Sequence, residues 1–219
     1  MRVMRARLLA ACAAMLWAAP AARGDRFEAA IAVRPTGGYA RVAEAGTEAP
    51  ATVRSAGIAG GLSWGVRNWL DLGGELAASA LGEASYDRAM VLVDDSPMAG
   101  PLRRMTRTAQ LRGVATLRLG VAWVPTVQLA IGAGARQRSS ALLRGQSVRG
   151  ETLYVPDGQA AGVTLDLVTA VRVGLEHRLT PSWTVGISVG ASQAVGVGTP
   201  DLQLAEASFT LARVWYPGW

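Results

Sequence analysis

Apolar and small-or-polar residues alternate along this chain at period two, in paired stretches separated by tight turns. From Ile58 to Val66 one parity reads Ile58, Gly60, Leu62, Trp64, Val66, and the other reads Ala59, Gly61, Ser63, Gly65, Arg67. After a turn at Arg67–Asn68–Trp69, Leu70, Leu72, Leu76 and Ala78 alternate with Asp71, Gly73, Glu75 and Ala77. A second hairpin sets Leu111, Ala115, Leu117, Leu119, Val121 and Trp123 against Gln110, Arg112, Thr116, Arg118 and Gly120. It continues with Val127, Leu129, Ile131 and Ala133 against Gln128, Ala130, Gly132 and Gly134, around a turn at Val124–Pro125–Thr126. A third sets Val163, Leu165, Leu167, Val171, Val173 and Leu175 against Thr164, Asp166, Arg172, Gly174 and Glu176. Its return strand carries Val185, Ile187 and Val189 against Thr184, Gly186, Ser188 and Gly190, after a turn at Thr180–Pro181–Ser182. Successive side chains of a strand point to opposite faces, so this pattern predicts strands with one apolar and one polar face.

The turn centres Asn68, Pro125 and Pro181 are 57 and 56 residues apart. Phe27, Ala29, Ile31 and Val33 supply a first strand, and residues 205–215 a last one, with Phe209, Leu211 and Trp215 on one parity. The total is eight. Four long connections are expected, over 35–54, 81–108, 139–161 and 193–204. An even number of antiparallel strands with alternating short turns and long loops is the pattern of a barrel that spans an outer membrane. The fold class read from the sequence is therefore all-β, an eight-stranded antiparallel up-and-down transmembrane barrel.

The N-terminus reads as an export signal. Arg2, Arg5 and Arg7 precede an apolar run from Leu8 to Ala19, too short to span a bilayer as a helix, and small residues follow. Residues 1–24 are assigned to this signal, with cleavage after residue 21 or 24, and residues 25–219 to the barrel. Cys12, the only cysteine, falls inside the signal, where too few apolar residues precede it for a lipoprotein box. The barrel then carries no thiol and no disulfide.

Charge changes the picture once the signal is set aside. The whole chain has a formal charge of +6, all its cations being arginine. Removing four of the 22 arginines leaves 18 against 16 acids, a charge of +2. That balance gives no basic footprint for nucleic acid, so none is expected as a partner. After the signal no apolar run is long enough for a transmembrane helix, so the apolar residues are dispersed, as a barrel wall requires.

The tryptophans support the same placement. Trp69, Trp123 and Trp183 sit at the short turns, and Trp215 and Trp219 close the chain on the same side. An indole favours the membrane–water interface, so these five are read as an aromatic girdle on the periplasmic rim. Trp64 is expected deeper in the wall.

On these features residues 25–219 resemble the small eight-stranded outer-membrane barrels, the group typified by the OmpA transmembrane domain and OmpX-like proteins. The resemblance rests on the signal, the eight strands, the turn–loop rhythm and the terminal aromatic Trp219. It implies export, insertion by the barrel assembly machinery, and outer-membrane lipid as the surrounding partner. Pro217 departs from the pattern, since it lacks the N–H a ladder needs, so the last strand is expected to stop near Trp215.

Eight strands enclose a space that side chains can fill. The inward parity carries Arg67, Asp71, Glu75, Arg112, Arg118, Asp166, Arg172 and Glu176, with Glu28 and Arg34 as further candidates from the first strand. Mixed signs predict ion pairs that fill the lumen, whereas a selective filter would carry rings of one sign. A narrow gated pore is the alternative. No catalytic residue is expected. The sole histidine, His177, lies on the lipid-facing parity at the short-turn end, far from where an enzyme of the outer leaflet would work. One histidine and no mature cysteine leave no zinc site, and no cofactor is expected. Asp94–Asp95 with Asp87 and Glu83 read as a solvated acidic turn, with a bound cation as the alternative. Arg103, Arg104 and Arg107, at the foot of the second loop, read either as solvated or as partners of lipid phosphates. The apolar stretch Ala89 to Val93 predicts that strands extend into this loop, where an unidentified surface partner would bind.

Overall fold

The computed structural model describes residues 28–43, 47, 49–93, 96–119, 123–139, 142–146, 152–156, 162–196 and 199–217. Twelve strands follow one another: β1 (Ala29–Val42), β2 (Ala51–Arg67), β3 (Leu70–Leu81), β4 (Ala84–Val93), β5 (Ser96–Arg104), β6 (Thr106–Arg118), β7 (Trp123–Arg138), β8 (Leu142–Gln146), β9 (Thr152–Pro156), β10 (Gly162–Thr180), β11 (Trp183–Gly196) and β12 (Thr199–Trp215). Eight of them close into a barrel in the order β1-β12-β11-β10-β7-β6-β3-β2. Every pairing in it is antiparallel, so the ring has no free edge. The remaining four form a second sheet, β4-β5-β8-β9.

The period-two pattern fixes which face each strand turns outward. Ile31, Ile58, Leu72, Leu111, Leu129, Leu165, Ile187 and Phe209, one from each barrel strand, are all exposed on the outside. Their neighbours of opposite parity, Glu75, Arg112, Ala130, Asp166, Arg172 and Ala212 among them, are buried in the lumen. The barrel is thus inverted relative to a water-soluble one: apolar without, polar within.

Two sequence expectations about the connections are corrected. The second short turn is not Val124–Pro125–Thr126. All three residues belong to β7, where Pro125 pairs with Leu175 and Thr126 with Arg118. The reversal lies between Arg118 and Trp123, and the Leu119 N–H donates to the Pro125 carbonyl at 2.9 Å. A proline near the start of a strand forfeits only one ladder bond, which the register tolerates.

The four long loops are also mostly strand. Span 35–54 is the upper half of the β1–β2 hairpin, paired from Pro35–Ile58 up to Val42–Ala51. Pro35 leaves its mark on the other side, where the β1–β12 ladder runs from Val33–Leu211 directly to Thr36–Ser208. Span 193–204 is likewise strand up to Gly196 and again from Thr199. Spans 81–108 and 139–161 hold the hairpins β4–β5 and β8–β9, joined edge to edge through Leu102–Leu143 and Arg103–Leu142. The strand expected through 89–93 is β4, whereas Asp94 and Asp95 fall outside the described residues.

Ala29, only 5% exposed, pairs with Trp64 on one side and Trp215 on the other. Beyond Trp215 the ladder ends, as Pro217 leads one to expect.

Candidate functional site

Among the described residues the lumen gathers charged side chains away from solvent, and it is built in layers. At the short-turn end Arg118, on β6, bridges two acids from different strands. It lies 2.7 Å from Asp71 on β3 and 3.3 Å from Glu176 on β10. Below it, Glu28 accepts from Arg178 at 3.3 Å and from the Tyr216 hydroxyl at 3.1 Å. Arg178 also donates to the Pro181 carbonyl at 2.7 Å, which ties the third turn to the start of the barrel.

The middle layer centres on Glu75. Its carboxylate pairs with Arg34, Arg112 and Arg172, three guanidinium groups brought in by β1, β6 and β10. Gln128 joins them by accepting from Arg172 at 2.7 Å and from Arg34 at 3.1 Å, and by donating to Thr116 at 2.9 Å. Arg34 reaches Thr210 on β12 at 3.2 Å. Glu206 lies among the same groups on the lumen parity. Removed from water, each charge needs a partner, and this cluster supplies one from several strands at once.

Arg136 and Asp166 form the next layer, at 2.9 Å and both nearly inaccessible. Arg136 also donates to the Ala194 carbonyl at 3.2 Å. Above them the lumen turns apolar. Ala40, Val42, Val53, Leu81, Val168, Leu202 and Leu204 pack with Ala84, Tyr86 and Leu102 from the second sheet. The Tyr86 hydroxyl donates to the Val42 carbonyl at 3.1 Å. This apolar stopper was not expected from sequence, where the lumen reads as polar throughout. Its signal is a change of parity: in β12 the apolar residues are Leu202 and Leu204 on the inward parity, then Phe209 and Leu211 on the outward one.

Glycines make room for the charges. Across the ladders Glu75 faces Gly61, Asp71 faces Gly65, Arg112 faces Gly132, Arg172 faces Gly190 and Glu176 faces Gly186. At Gly132 a Cβ would fall 1.9 Å from the Leu111 carbonyl oxygen, and at Gly190 one would fall 2.5 Å from Cγ of Arg172. Between the side chains a cavity of about 40 Å³ remains near Arg34, Asp71, Glu75 and Arg118, and one of about 10 Å³ near Ser79 and Arg112. Such volumes hold a water or two, not a solute.

Of the eight charges named from sequence, seven take part in these pairs. Arg67 does not. The β2–β3 register shifts between Gly65 and Arg67, and Arg67 ends exposed at the rim with no ion pair among the described residues. Arg136 and Arg178 were not named, although both continue an inward parity already assigned, past the point where each strand was thought to end. Trp69, Trp123, Trp183 and Trp215 are exposed on the outer face at the short-turn end, and Trp219 lies outside the described residues. His177 pairs with Trp123 across the β7–β10 ladder, and the rings stack with centroids 4.4 Å apart at 23°. Among the described residues no group of His, Cys, Asp and Glu is arranged to hold a metal ion. Glu83 pairs with Arg103 at 3.6 Å, both exposed.

The chain matches no protein-family model and no curated protein. It is similar in structure to Ail, the attachment invasion locus protein of Yersinia pestis, at 14% identity, covering 87% of this chain and 100% of that one with a TM-score of 0.46. It is also similar to Neisserial surface protein A, at 11% identity over 84% of this chain and 97% of that one, TM-score 0.47. A third is the N-terminal barrel domain of Pseudomonas aeruginosa OprF, at 9% identity over 87% and 98%, TM-score 0.41. These likenesses are of architecture alone.

Proposed function

We propose that this chain is an integral outer-membrane protein with a closed lumen. Its role would lie in envelope structure or in contacts made by the surface sheet, and it would not be an enzyme. The observation that carries this is the outer wall. Every barrel strand exposes large apolar side chains there, a continuous surface far beyond what a soluble monomer leaves to water. The height fits as well. From Trp215 to Gln203, β12 runs about 12 residues. That is roughly 40 Å of strand, or roughly 28 Å of height at a tilt of about 45°, close to the hydrocarbon thickness. The short-turn end then faces the periplasm, and the sheet β4-β5-β8-β9 faces outward.

Three features support closure over a pore: the Glu75 cluster, the Arg136–Asp166 pair and the apolar stopper. A non-enzymatic role is supported by the place of His177, stacked on Trp123 at the rim opposite the surface sheet. The test is fractionation of expressing cells, followed by gel migration with and without heating. Recovery in the outer membrane with a heat-dependent shift is expected, then no steady conductance in a planar bilayer. A soluble periplasmic protein without a shift would overturn the membrane reading, and steady conductance would overturn the closed lumen.

A further inference from the structure

A ring without an edge is completed by joining its first strand to its last, and here that ladder is the incomplete one. β1 meets β12 only when the ring comes round, whereas every other ladder joins strands that follow one another among the eight. Bringing distant parts of a chain together costs entropy that grows with their separation, so this ladder has the least help from connectivity. It is also short of two rungs. Between Val33–Leu211 and Thr36–Ser208, neither Arg34 with Thr210 nor Pro35 with Phe209 is paired. Pro35 has no N–H to offer a ladder. Among the described residues the other ladders of the ring are continuous or shift register only beside an end.

A side chain spans the gap. Nε of Arg34 donates across the seam to Oγ1 of Thr210 at 3.2 Å, at the height of the missing rungs. The far end of this guanidinium is held from other strands, since Nη1 pairs with Glu75 on β3 and donates to Gln128 on β7 at 3.1 Å. Both holders are themselves fixed, Glu75 by Arg112 and Arg172, and Gln128 by Arg172 and Thr116. Beside Arg34 the inward residues of the seam are small: Ala30, Ala32 and Ala212 line the same cavity of about 40 Å³. A second tie lies past the end of the ladder. Glu28, one residue before β1, accepts from the hydroxyl of Tyr216, one residue after β12, at 3.1 Å.

We infer that β1–β12 is the seam along which this barrel closes last and parts first, and that Arg34 is the bolt that holds it shut. The bolt is set by residues of β3 and β7, so it engages only when those strands already stand in the ring. Sealing of the wall is thereby made to wait on assembly of the lumen. Pro35 enforces that order, because the backbone alone leaves the seam two rungs short. The inference needs only the ring and is independent of what the outer wall faces.

The test is hydrogen–deuterium exchange, read by mass spectrometry on the full chain refolded in detergent micelles. Peptides covering 31–37 and 206–212 report the seam, and one covering 110–116 reports the opposite wall. Arg34→Met leaves Glu75 with Arg112 and Arg172, and should speed exchange at the seam about tenfold with little change at 110–116. Thr210→Val, which removes only the acceptor across the gap, should act at the same place and less strongly. Pro35→Val supplies the missing N–H, so adding it to Arg34→Met should return the seam to the rate of Pro35→Val alone. If Arg34→Met does not fold, the combined variant is expected to fold in its place, and its failure would overturn the proposal. Faster exchange spread evenly over both walls, an unchanged seam, or no rescue by Pro35→Val would each show that Arg34 is one more lumen charge and not a bolt.

Discussion

Arg136 and Asp166 meet at 2.9 Å in the lumen, directly beneath the apolar stopper, and neither side chain touches bulk water. The pair joins β7 to β10, the two strands whose ladder runs from Arg138 to Trp123. Asp166→Ala leaves the Arg136 guanidinium buried without its carboxylate, so we expect a loss of about 3–5 kcal/mol in refolding stability. Replacing both partners with Met and Leu should recover most of it. Urea titration of the gel-shift transition in detergent measures each case. A single substitution that costs no more than the double one would show that the pair is not desolvated as described.

Among the described residues Glu75 is the one carboxylate paired with three arginines. Glu75→Ala should therefore be more destabilising than Asp71→Ala, whose main partner Arg118 keeps Glu176. We expect about 3–5 kcal/mol for the first and distinctly less for the second. The same urea titration ranks them, and the reverse order would dethrone Glu75 as the centre of the layer.

The wall and the lumen can be told apart with one residue step. Leu167 is 58% exposed on the outside, whereas its neighbour Val168 is fully buried. Leu167→Arg puts a cation into hydrocarbon and should cost about 2–4 kcal/mol, measured by partitioning into lipid vesicles. If this variant inserts as well as the parent, the outward parity of β10 is wrong.

Leu202 is completely inaccessible within the stopper. Leu202→Ala should cost about 2–5 kcal/mol through the cavity it leaves. Because Arg136–Asp166 and the Glu75 cluster still close the lumen below, no conductance should appear. A variant that conducts would show that the stopper alone seals the barrel.

Much of the barrel was legible because period two is a strong constraint. A slip of one residue in any strand would turn Leu and Ile inward and Arg and Asp outward, so inward and outward parity of the wall strands could be read directly. The ends of the strands were not legible for the same reason that Pro and Gly usually help. Pro35, Gly37 and Gly38 place the expected connection at 35–54, yet β1 runs through them, since a partner on its other side keeps the ladder intact at Pro35. Pro125 misplaced a turn in the same way. Arg67 could not be separated from the other inward charges, because a register shift beside a tight turn has no period to betray it. The second sheet was out of reach as a pairing: β5 and β8 are far apart in the chain, and only two residue pairs join them.

The facing of glycine and charge across the ladders has a consequence for how such an interior can change over generations. At Gly190 and Gly186 an added Cβ would meet the Cγ of Arg172 and Glu176 at 2.5 and 3.0 Å as well as backbone, and at Gly132 it would meet the Leu111 carbonyl oxygen at 1.9 Å. The glycine is held by the packing of its ladder, and the charge beside it cannot be altered far without the partners it pairs with. The wall obeys a looser rule, since any apolar residue that hydrocarbon accepts will serve. Drift should therefore spread singly over the outside and in coupled steps within. Two barrels of this kind can then lose almost all identity in their walls while the inside still carries the trace of common descent, written as pairs of positions rather than as single letters.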